Sequence, residues 1–266
     1  MGDVRPAPAL AIESLEVRFG GVRAVDDVTL DVQPGELLGL IGPNGAGKTT
    51  TIDAVTGFVP SGGLVHLDGR PLHGMPPHRR AQAGLVRTWQ SLELFDDLTV
   101  RESCAVGLDR GGLLGGLRAA VAPGRREALD RAQEALEVLG LAALGDRSPA
   151  ELPLGQRKLV AVARALAGRP RVLLLDEPAA GLDSDESLAL GERLRPLIGP
   201  ERSMVLVDPD MGLVLGTCDR VAVLEHGRII AVGTPAAIRS DPRVVEAYLG
   251  ERHAGADGAA AGGVGT

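Results

Sequence analysis

A glycine-rich loop between a predicted strand and a predicted helix constrains this chain more than any other feature. Residues 42–50 read GPNGAGKTT, which matches the pattern G-x-x-x-x-G-K-[ST]. The fixed positions of the pattern are filled by Gly42, Gly47, Lys48 and Thr49. The segment 36–41 before the loop, apolar after Glu36, predicts a buried strand, and residues 49–56 after the loop predict the start of a helix. This strand–loop–helix context is the one that the pattern requires.

Such a loop is built to hold phosphate. Glycines let the backbone curl so that successive N–H groups point inward, and the following helix adds its positive N-terminal end. A lysine at position 48 reaches the β- and γ-phosphates of a nucleotide, and the Thr49 hydroxyl binds Mg²⁺. The loop residues that we expect to hold ATP and its Mg²⁺ are Gly42, Pro43, Asn44, Gly45, Ala46, Gly47, Lys48, Thr49 and Thr50.

A second motif supplies carboxylates. The run Val172–Leu175 is wholly branched and apolar, as in a strand buried on both faces, and it ends in Asp176 and Glu177. Asp176 suits a residue that holds Mg²⁺, directly or through water, and Glu177 suits a residue that polarises the attacking water. The alternative is a solvated strand end without a catalytic role, which the loop upstream makes the weaker interpretation.

Composition narrows the class of protein. The chain has 266 residues and a net charge of −7, without a basic stripe that would indicate nucleic-acid binding. We find no apolar run of about 20 residues and no secretory signal, so we expect a soluble, cytoplasmic protein, which leaves docking on a membrane protein open. Cys104 and Cys218 lie in apolar surroundings, which favours buried free cysteines over a disulfide or a metal pair.

The remaining pattern predicts an α/β fold. Strands are predicted at 10–19, 24–32, 64–69, 203–207, 220–224 and 229–232, and amphipathic helices at 127–139 and 159–166. We expect flexible tails at 1–9 and 253–266, and a mobile connection at 107–126.

The order of the motifs resembles that of the ATP-binding-cassette (ABC) family. Between the loop and Asp176 come Gln90 and the segment LPLGQ at 152–156, similar to the family's LSGGQ signature, and Gly181-Leu182-Asp183 follows. The resemblance covers residues 10–250. It implies a P-loop ABC ATPase core, in which a parallel sheet carries an N-terminal antiparallel β part. It also implies an inserted helical subdomain at about 91–165.

The resemblance also implies a head-to-tail ATPase dimer with each ATP between two subunits. In it, Leu152, Gly155 and Gln156 would contact the partner's ATP, and Asp183 would lie across the interface. Gln90 would be a catalytic and metal-sensing residue beside the membrane partner. Phe19 stands where the family places an aromatic that stacks on adenine; the alternative is core packing. For Trp89 we expect core packing.

Several segments are similar to the ATPases of branched-chain amino-acid importers. They are residues 19–25, 87–90, 94–102, 178–182, 210–214 and 233–250. That resemblance implies a second, related ATPase, two permease subunits and an extracytoplasmic substrate-binding protein, and no nucleic acid. Importers of urea or short amides, and ATPases that export lipopolysaccharide, remain alternatives. Cassettes of DNA repair or translation fit less well, because they carry a coiled-coil insertion or a second cassette.

Two positions depart from the family pattern. Pro209 stands where the family places a switch histidine, and proline offers no imidazole and no backbone N–H. Its neighbours Asp208 and Asp210 would bring negative charge toward phosphate. Pro153-Leu154 replaces Ser-Gly in the signature, which removes a hydroxyl but leaves a helix start that tolerates proline. These departures keep open a degenerate cassette that binds ATP, closes and hydrolyses poorly.

Overall fold

The computed structural model describes residues 7–89, 94–108 and 123–248. The strands are β1 Leu10–Phe19, β2 Val22–Val32, β3 Leu37–Ile41, β4 Gly62–Leu67, β5 Arg70–Pro71, β6 Leu85–Arg87, β7 Val172–Asp176, β8 Ser203–Val207, β9 Arg220–Glu225 and β10 Arg228–Gly233. The α-helices are α1 Lys48–Thr56, α2 Pro77–Gln82, α3 Val100–Val106, α4 Pro123–Val138, α5 Leu154–Ala167, α6 Ser184–Leu194, α7 Met211–Thr217 and α8 Pro235–Ser240. Short 3₁₀ helices lie at Ala142–Leu144, Pro149–Glu151 and Arg195–Leu197.

Two sheets form the body of the protein. The smaller sheet has the order β2-β1-β4-β5 with antiparallel pairing, and Leu10 of β1 faces Val32 of β2 and Leu67 of β4. The larger sheet has the order β10-β9-β3-β8-β7-β6 and is parallel except for the β9–β10 hairpin. The predicted parallel sheet with an N-terminal antiparallel part is therefore present.

Side-chain alternation in the parallel strands creates two apolar cores. All residues of β3, β7 and β8 are buried, which explains their nearly continuous apolar sequences. Leu37, Leu173 and Leu206 point into a core that is shared with the helices. Their neighbours Leu38 and Leu174 point to the opposite face, into a core shared with α1 and the smaller sheet.

Helices α3, α4 and α5 pack against one another within the region predicted to be helical. Helix α3 begins at a capping box in which Thr99 and Glu102 satisfy each other's backbone N–H groups. Helix α4 buries the predicted apolar stripe, including Ala132, Leu136 and Leu139. Whether 91–165 behaves as a separate subdomain stays a prediction.

Some predicted boundaries were wrong. Helix α5 begins at Leu154, five residues before the predicted start, because Pro153 occupies its N-cap with non-helical backbone angles, φ −55° and ψ 155°. Helix α4 begins inside the segment predicted to be a mobile connection, and residues 109–122 of that segment lie outside the described residues. Ala9, assigned to the N-terminal tail, is buried, and its carbonyl accepts a hydrogen bond from the Asp68 N–H at 2.9 Å. The predicted tail 253–266 also lies outside the described residues.

Candidate functional site

The predicted motifs meet at the carboxyl edge of the parallel sheet. Strand β3 runs into the loop 42–47, and β7 ends in Asp176. Strand β8, which lies between them, is followed by Asp208, and β6 ends at Arg87. Because parallel strands deliver their carboxyl ends to one edge, residues that are distant in sequence are brought to one crevice. This is where open α/β sheets bind ligands.

Glycine is required at two positions of the loop. Gly42 has φ of 152°, and a Cβ on it would lie 2.0 Å from the Leu224 carbonyl oxygen. Gly47, the N-cap of α1, has φ of 102°, and a Cβ there would lie 2.5 Å from the Ala24 carbonyl oxygen. Any side chain would therefore push the loop away from β2 and β9, which the predicted phosphate cradle does not allow.

Lys48 closes the loop on itself. Its Nζ donates to the carbonyl oxygens of Gly42 at 2.7 Å and Pro43 at 3.0 Å, and the residue is 7% exposed. The ammonium thus lies within the curled loop, on the side where a phosphate charge would meet it. Thr49 is exposed in the first turn of α1, so its hydroxyl is accessible. In the rest of the loop, Ala46 is buried, Pro43 and Thr50 are half-buried, and Asn44 and Gly45 are exposed.

Asp176 is a buried carboxylate with a cationic partner. It is 3% exposed, and Arg87 Nη2 donates to its Oδ2 at 2.8 Å. The Asp176 N–H donates to the Thr88 hydroxyl at 3.3 Å, which fixes the end of β7 beside β6. Burial raises the pKa of Asp176, and the Arg87 guanidinium opposes that rise. A buried carboxylate held by one cation is suited to exchange that cation for a metal ion.

Glu177 leaves the strand in an unusual backbone conformation. Its φ is 45°, in the left-handed region that non-glycine residues seldom adopt. Its N–H donates to the Val207 carbonyl at 2.7 Å, and its carbonyl accepts from the Ala180 N–H at 3.2 Å. These bonds hold the turn that carries the half-buried Glu177 side chain away from the strand direction. Such local strain is found at functional sites more often than elsewhere.

The two aspartates that flank Pro209 bond to the backbone, which the sequence did not indicate. Asp208 is 1% exposed; its Oδ2 accepts from the Ala179 N–H at 2.9 Å and its Oδ1 from the Asp210 N–H at 3.0 Å. Burial raises the pKa of Asp208, and these N–H groups oppose the rise. Asp210 caps α7 by accepting from Gly212 N–H and Leu213 N–H. These carboxylates are engaged locally with backbone N–H groups, and Pro209 is exposed between them. That they bring negative charge toward phosphate stays a prediction.

A buried lysine that sequence reasoning missed lies beside this group. Lys158 on α5 is 6% exposed, and burial lowers its pKa while the carboxylates of Asp208 and Glu177 oppose that change. A signal was available, because Lys48 and Lys158 are the only lysines in the chain. A lysine retained on an apolar helix face indicates a specific electrostatic partner.

The signature segment packs against the segment after Glu177. Leu152 is buried, and Gly155 and Gln156 lie half-buried in the first turn of α5. Leu154 contacts the turn at Gly181, where a Cβ would lie 3.2 Å from the leucine side chain. Asp183 is the N-cap of α6 and accepts from the Glu186 N–H at 2.9 Å. The exposed Asp183 therefore has a local role as a helix cap besides the predicted role at an interface.

The aromatic side chains are more exposed than core packing would make them. Phe19 is 53% exposed at the end of β1, so the alternative of core packing is wrong for it. Trp89 is 42% exposed, which also contradicts the predicted core packing. Its ring meets Phe58 edge-on with centroids 4.8 Å apart, and the Arg87 guanidinium lies 4.0 Å from its centroid. Gln90, the predicted catalytic and metal-sensing residue, lies outside the described residues.

Comparison with known proteins identifies the family. A model of the ABC transporter family matches residues 25–180. The chain is 41% identical over 255 residues to the high-affinity branched-chain amino acid transport ATP-binding protein BraF of Pseudomonas aeruginosa, covering 92% of this chain and 98% of BraF. The chain belongs to the ABC transporter family. It is an ATPase of the kind that is coupled to transport.

Further comparisons place the cassette within the family. A model described as branched-chain amino acid ATP-binding cassette transporter matches residues 228–254. The lipopolysaccharide export system ATP-binding protein LptB of Escherichia coli is 35% identical, covering 91% of this chain and 97% of LptB. The ADP conformation of the ATP-binding cassette MJ1267 superposes with a TM-score of 0.81 at 32% identity, covering 92% of this chain and all of that one. The predicted ABC ATPase fold is thus confirmed.

The donor groups of the cassette fit Mg²⁺ bound together with a nucleotide. Mg²⁺ prefers oxygen ligands and takes one or two protein oxygens beside phosphate and water. Thr49 and Asp176 offer a hydroxyl and a carboxylate at the phosphate loop. Among the described residues, no group of three or more His, Cys, Asp or Glu side chains is placed to hold a metal ion alone.

The same residues include no helix that is long and apolar enough to cross a membrane.

Proposed function

We propose that this cassette is the ATP-binding and ATP-hydrolysing subunit of an importer for branched-chain or related amino acids. The observation that carries the proposal is the convergence of the phosphate loop with Asp176 and Glu177 at one sheet edge, in a chain whose residues 228–254 match the branched-chain amino acid group. The identity to BraF, 41% against 35% for LptB, favours amino-acid import over lipopolysaccharide export. Import of urea or short amides is the neighbouring alternative.

In this proposal the loop holds the phosphates of ATP. The N–H groups of the first turn of α1 point at them, and Lys48 exchanges its bonds to the Gly42 and Pro43 carbonyls for phosphate oxygens. Mg²⁺ would neutralise charge on the β- and γ-phosphates, held by Thr49 and Asp176, with Gln90 as a further ligand. Glu177 orients the attacking water, and Phe19 stacks on the adenine.

Assembly completes the site. We infer that a second ABC ATPase, forming a heterodimer, supplies the signature facing Lys48, while Leu152, Gly155 and Gln156 face the partner's nucleotide and Asp183 lies across the interface. Two permease subunits would dock on the helical region of about 91–165 and the Gln90 loop. The subunit would therefore lie on the cytoplasmic face of the membrane, and an extracytoplasmic binding protein would deliver the substrate.

A degenerate cassette is a second candidate, favoured by the environment of Pro209. The exposed proline has no N–H to donate, and both oxygens of Asp208 and Oδ1 of Asp210 already accept backbone N–H groups. Nothing at that position supplies the donor that a switch histidine provides. ATP affinity and turnover, measured separately on the purified chain and on the assembled transporter, distinguish the candidates: tight binding without turnover in both would favour the degenerate cassette.

Uptake by cells tests the proposal itself. A strain lacking the chain should lose uptake of radiolabelled leucine or valine, and the wild-type chain should restore it. Lys48→Ala should fail to restore uptake and should lower ATP affinity about hundredfold, because it removes the cation that lies against the phosphates. Arg70→Ala, at an exposed position of β5, is the matched control and should behave as wild type. Normal amino-acid uptake in the deletion strain, with loss of urea or acetamide uptake, would overturn the assignment of substrate.

A further inference from the structure

One arginine connects the predicted metal site to the protein surface. The Arg87 side chain is 5% exposed, and its guanidinium pairs with two carboxylates. Nη2 donates to Asp176 Oδ2 at 2.8 Å, and Nη1 donates to Asp53 Oδ1 in a close ion pair. Asp53 lies on α1, the helix that follows the phosphate loop, whereas Asp176 ends β7. The arginine on β6 therefore joins the two elements that form the nucleotide site.

The same guanidinium contacts the exposed aromatic pair. Its central carbon lies 4.0 Å from the ring centroid of Trp89 and 5.7 Å from that of Phe58. At these distances the cation is attracted by the faces of the rings. Because Phe58 and Trp89 are 48% and 42% exposed, Arg87 lies between a buried carboxylate and the surface. A planar guanidinium can pair with two carboxylates through separate nitrogens while its face lies against a ring, a geometry that a compact ammonium does not reproduce.

We propose that Arg87 is a positioning residue that holds Asp176 while no metal is bound and gives way when Mg²⁺ and nucleotide bind, so that its contact with Trp89 changes. This inference rests on the proposed function, since it assumes the nucleotide and Mg²⁺ at that site. A divalent cation at Asp176 repels the guanidinium and competes for the same carboxylate. Asp53 and the indole remain as partners for Arg87 when Asp176 is drawn toward the metal.

The exchange makes Trp89 a natural reporter of metal binding. It is the only tryptophan in the chain, so selective excitation of the indole reads this single position. If Mg²⁺ weakens the contact of Arg87 with Asp176, reciprocity requires that Arg87 weakens the binding of Mg²⁺. Removal of the guanidinium charge should therefore strengthen the dependence of nucleotide affinity on Mg²⁺ and abolish the response of Trp89.

The experiment measures two quantities on the full chain. Calorimetry gives ADP affinity with Mg²⁺ and with EDTA, and fluorescence follows Trp89 emission as Mg²⁺ is titrated into the ADP complex. For the wild type we expect a saturable change of emission on adding Mg²⁺. Arg87→Met should lose that change, and its ratio of ADP affinity with and without Mg²⁺ should rise by about fivefold or more. Arg79→Met, the same substitution at an exposed position of α2, should match the wild type in both measurements.

A second variant keeps the inference testable if Arg87→Met fails to fold. Arg87→Lys keeps the charge and should fold, but its compact ammonium lacks the planar fork that pairs with the carboxylates while lying against the indole, so its emission change should be smaller than that of the wild type. One result would overturn this inference and leave the proposed function intact. It is wild-type Trp89 emission that does not change with Mg²⁺, although calorimetry shows that ADP binding depends on Mg²⁺. The inference would also be overturned if ADP binding by Arg87→Met depended less on Mg²⁺ than that of the wild type. An emission change in Arg87→Lys equal to that of the wild type would overturn it as well. Absence of any nucleotide binding would overturn the proposed function and, with it, this inference.

Discussion

At the scale of single residues, Pro209 is the reason that we expect slow ATP hydrolysis by this cassette. It stands exposed between Asp208 and Asp210, each of which accepts backbone N–H groups. Pro209→His adds an imidazole in open space and should raise kcat about tenfold or more, since one preorganised donor is worth about 10²–10³ in rate. ATP affinity should change less, because the loop and Lys48 hold the ground state.

Measurements of kcat and ATP affinity on the purified chain and on the assembled transporter test this prediction, with urea unfolding to detect a rearranged loop. Brisk turnover by the wild-type chain, unaffected by Pro209→His, would contradict it. In that case Lys158, the buried cation that interacts electrostatically with Asp208 and Glu177, would be the candidate for the missing donor.

Glu177 is the second position at which chemistry depends on one side chain. Glu177→Gln keeps the shape of the residue but removes the carboxylate that orients water, so kcat in the assembled transporter should fall about 10²–10⁴-fold. ATP affinity should be retained, and the ATP-bound dimer should accumulate on size-exclusion chromatography. Glu192→Gln, at an exposed position of α6, is the control and should leave both quantities unchanged. Wild-type turnover in Glu177→Gln would remove Glu177 from the catalytic role.

At the scale of elements, one carboxylate ties together the starts of β3 and β9. The Asp219 carboxylate accepts a hydrogen bond from the Leu37 N–H at 2.9 Å. It also accepts hydrogen bonds from Nη1 and Nη2 of Arg195, which lies in the 3₁₀ helix after α6, at 2.8 and 2.6 Å. The Arg195 bonds hold the pKa of Asp219 below its ordinary value; burial opposes them and the Leu37 N–H adds to them. This places β3, and therefore the phosphate loop, beside β9.

The lowered pKa gives Asp219 a pH-dependent role in stability. Because the folded pKa is below the unfolded one, the stabilisation is complete above the unfolded pKa of about 4 and is lost as pH falls through the folded value. Asp219→Asn should lower the free energy of unfolding by about 1 kcal/mol at neutral pH, a value discounted for partial exposure. Urea unfolding at neutral pH and below about pH 4 should show the difference shrinking in acid. The exposed control Asp97→Asn should show no such trend; a pH-independent difference for Asp219→Asn would refute the assignment.

At the scale of the whole molecule, hydrogen bonds and ion pairs of arginine side chains connect the two sheets. Arg171, just before β7, donates to both oxygens of Asp68, in the turn after β4, at 2.9 and 2.8 Å. Its Nη1 donates to the Pro200 carbonyl at 2.6 Å. Arg228 of β10 pairs with Asp26 of β2 at 2.7 Å and makes a second link. The relative position of the sheets therefore depends on polar contacts as well as on the core between them.

Arg171→Met tests that link. The substitution keeps an apolar stem but removes every bond of the guanidinium, and should lower the free energy of unfolding by about 1–2 kcal/mol. Arg169→Met is the matched control, because the Arg169 pair with Glu134 is exposed on both sides and should contribute less than about 0.5 kcal/mol. Both values come from urea unfolding at neutral pH. Equal effects of the two substitutions would mean that the sheets do not depend on Arg171.

The sequence by itself determined the phosphate loop and the strand that ends in Asp176, whereas the mixed sheet architecture was implied by the resemblance to the ABC family. The loop and the strand depend on local spacing: strand burial on both faces shows as an unbroken apolar run, and the positive-φ positions of the loop favour glycine. The order of motifs then indicated the family.

Only the tertiary structure decided where side chains at the ends of the strands point. Strand β8 lies between β3 and β7, a neighbour relation that no local pattern encodes, and this order brings Asp208 beside Ala179. It also joins Arg87 to Asp176 across 89 positions of sequence and leaves Trp89 at the surface rather than in the core. The physical reason is that hydrogen bonds and ion pairs of the site form between elements that are distant in sequence, so they exist only once the sheet is assembled.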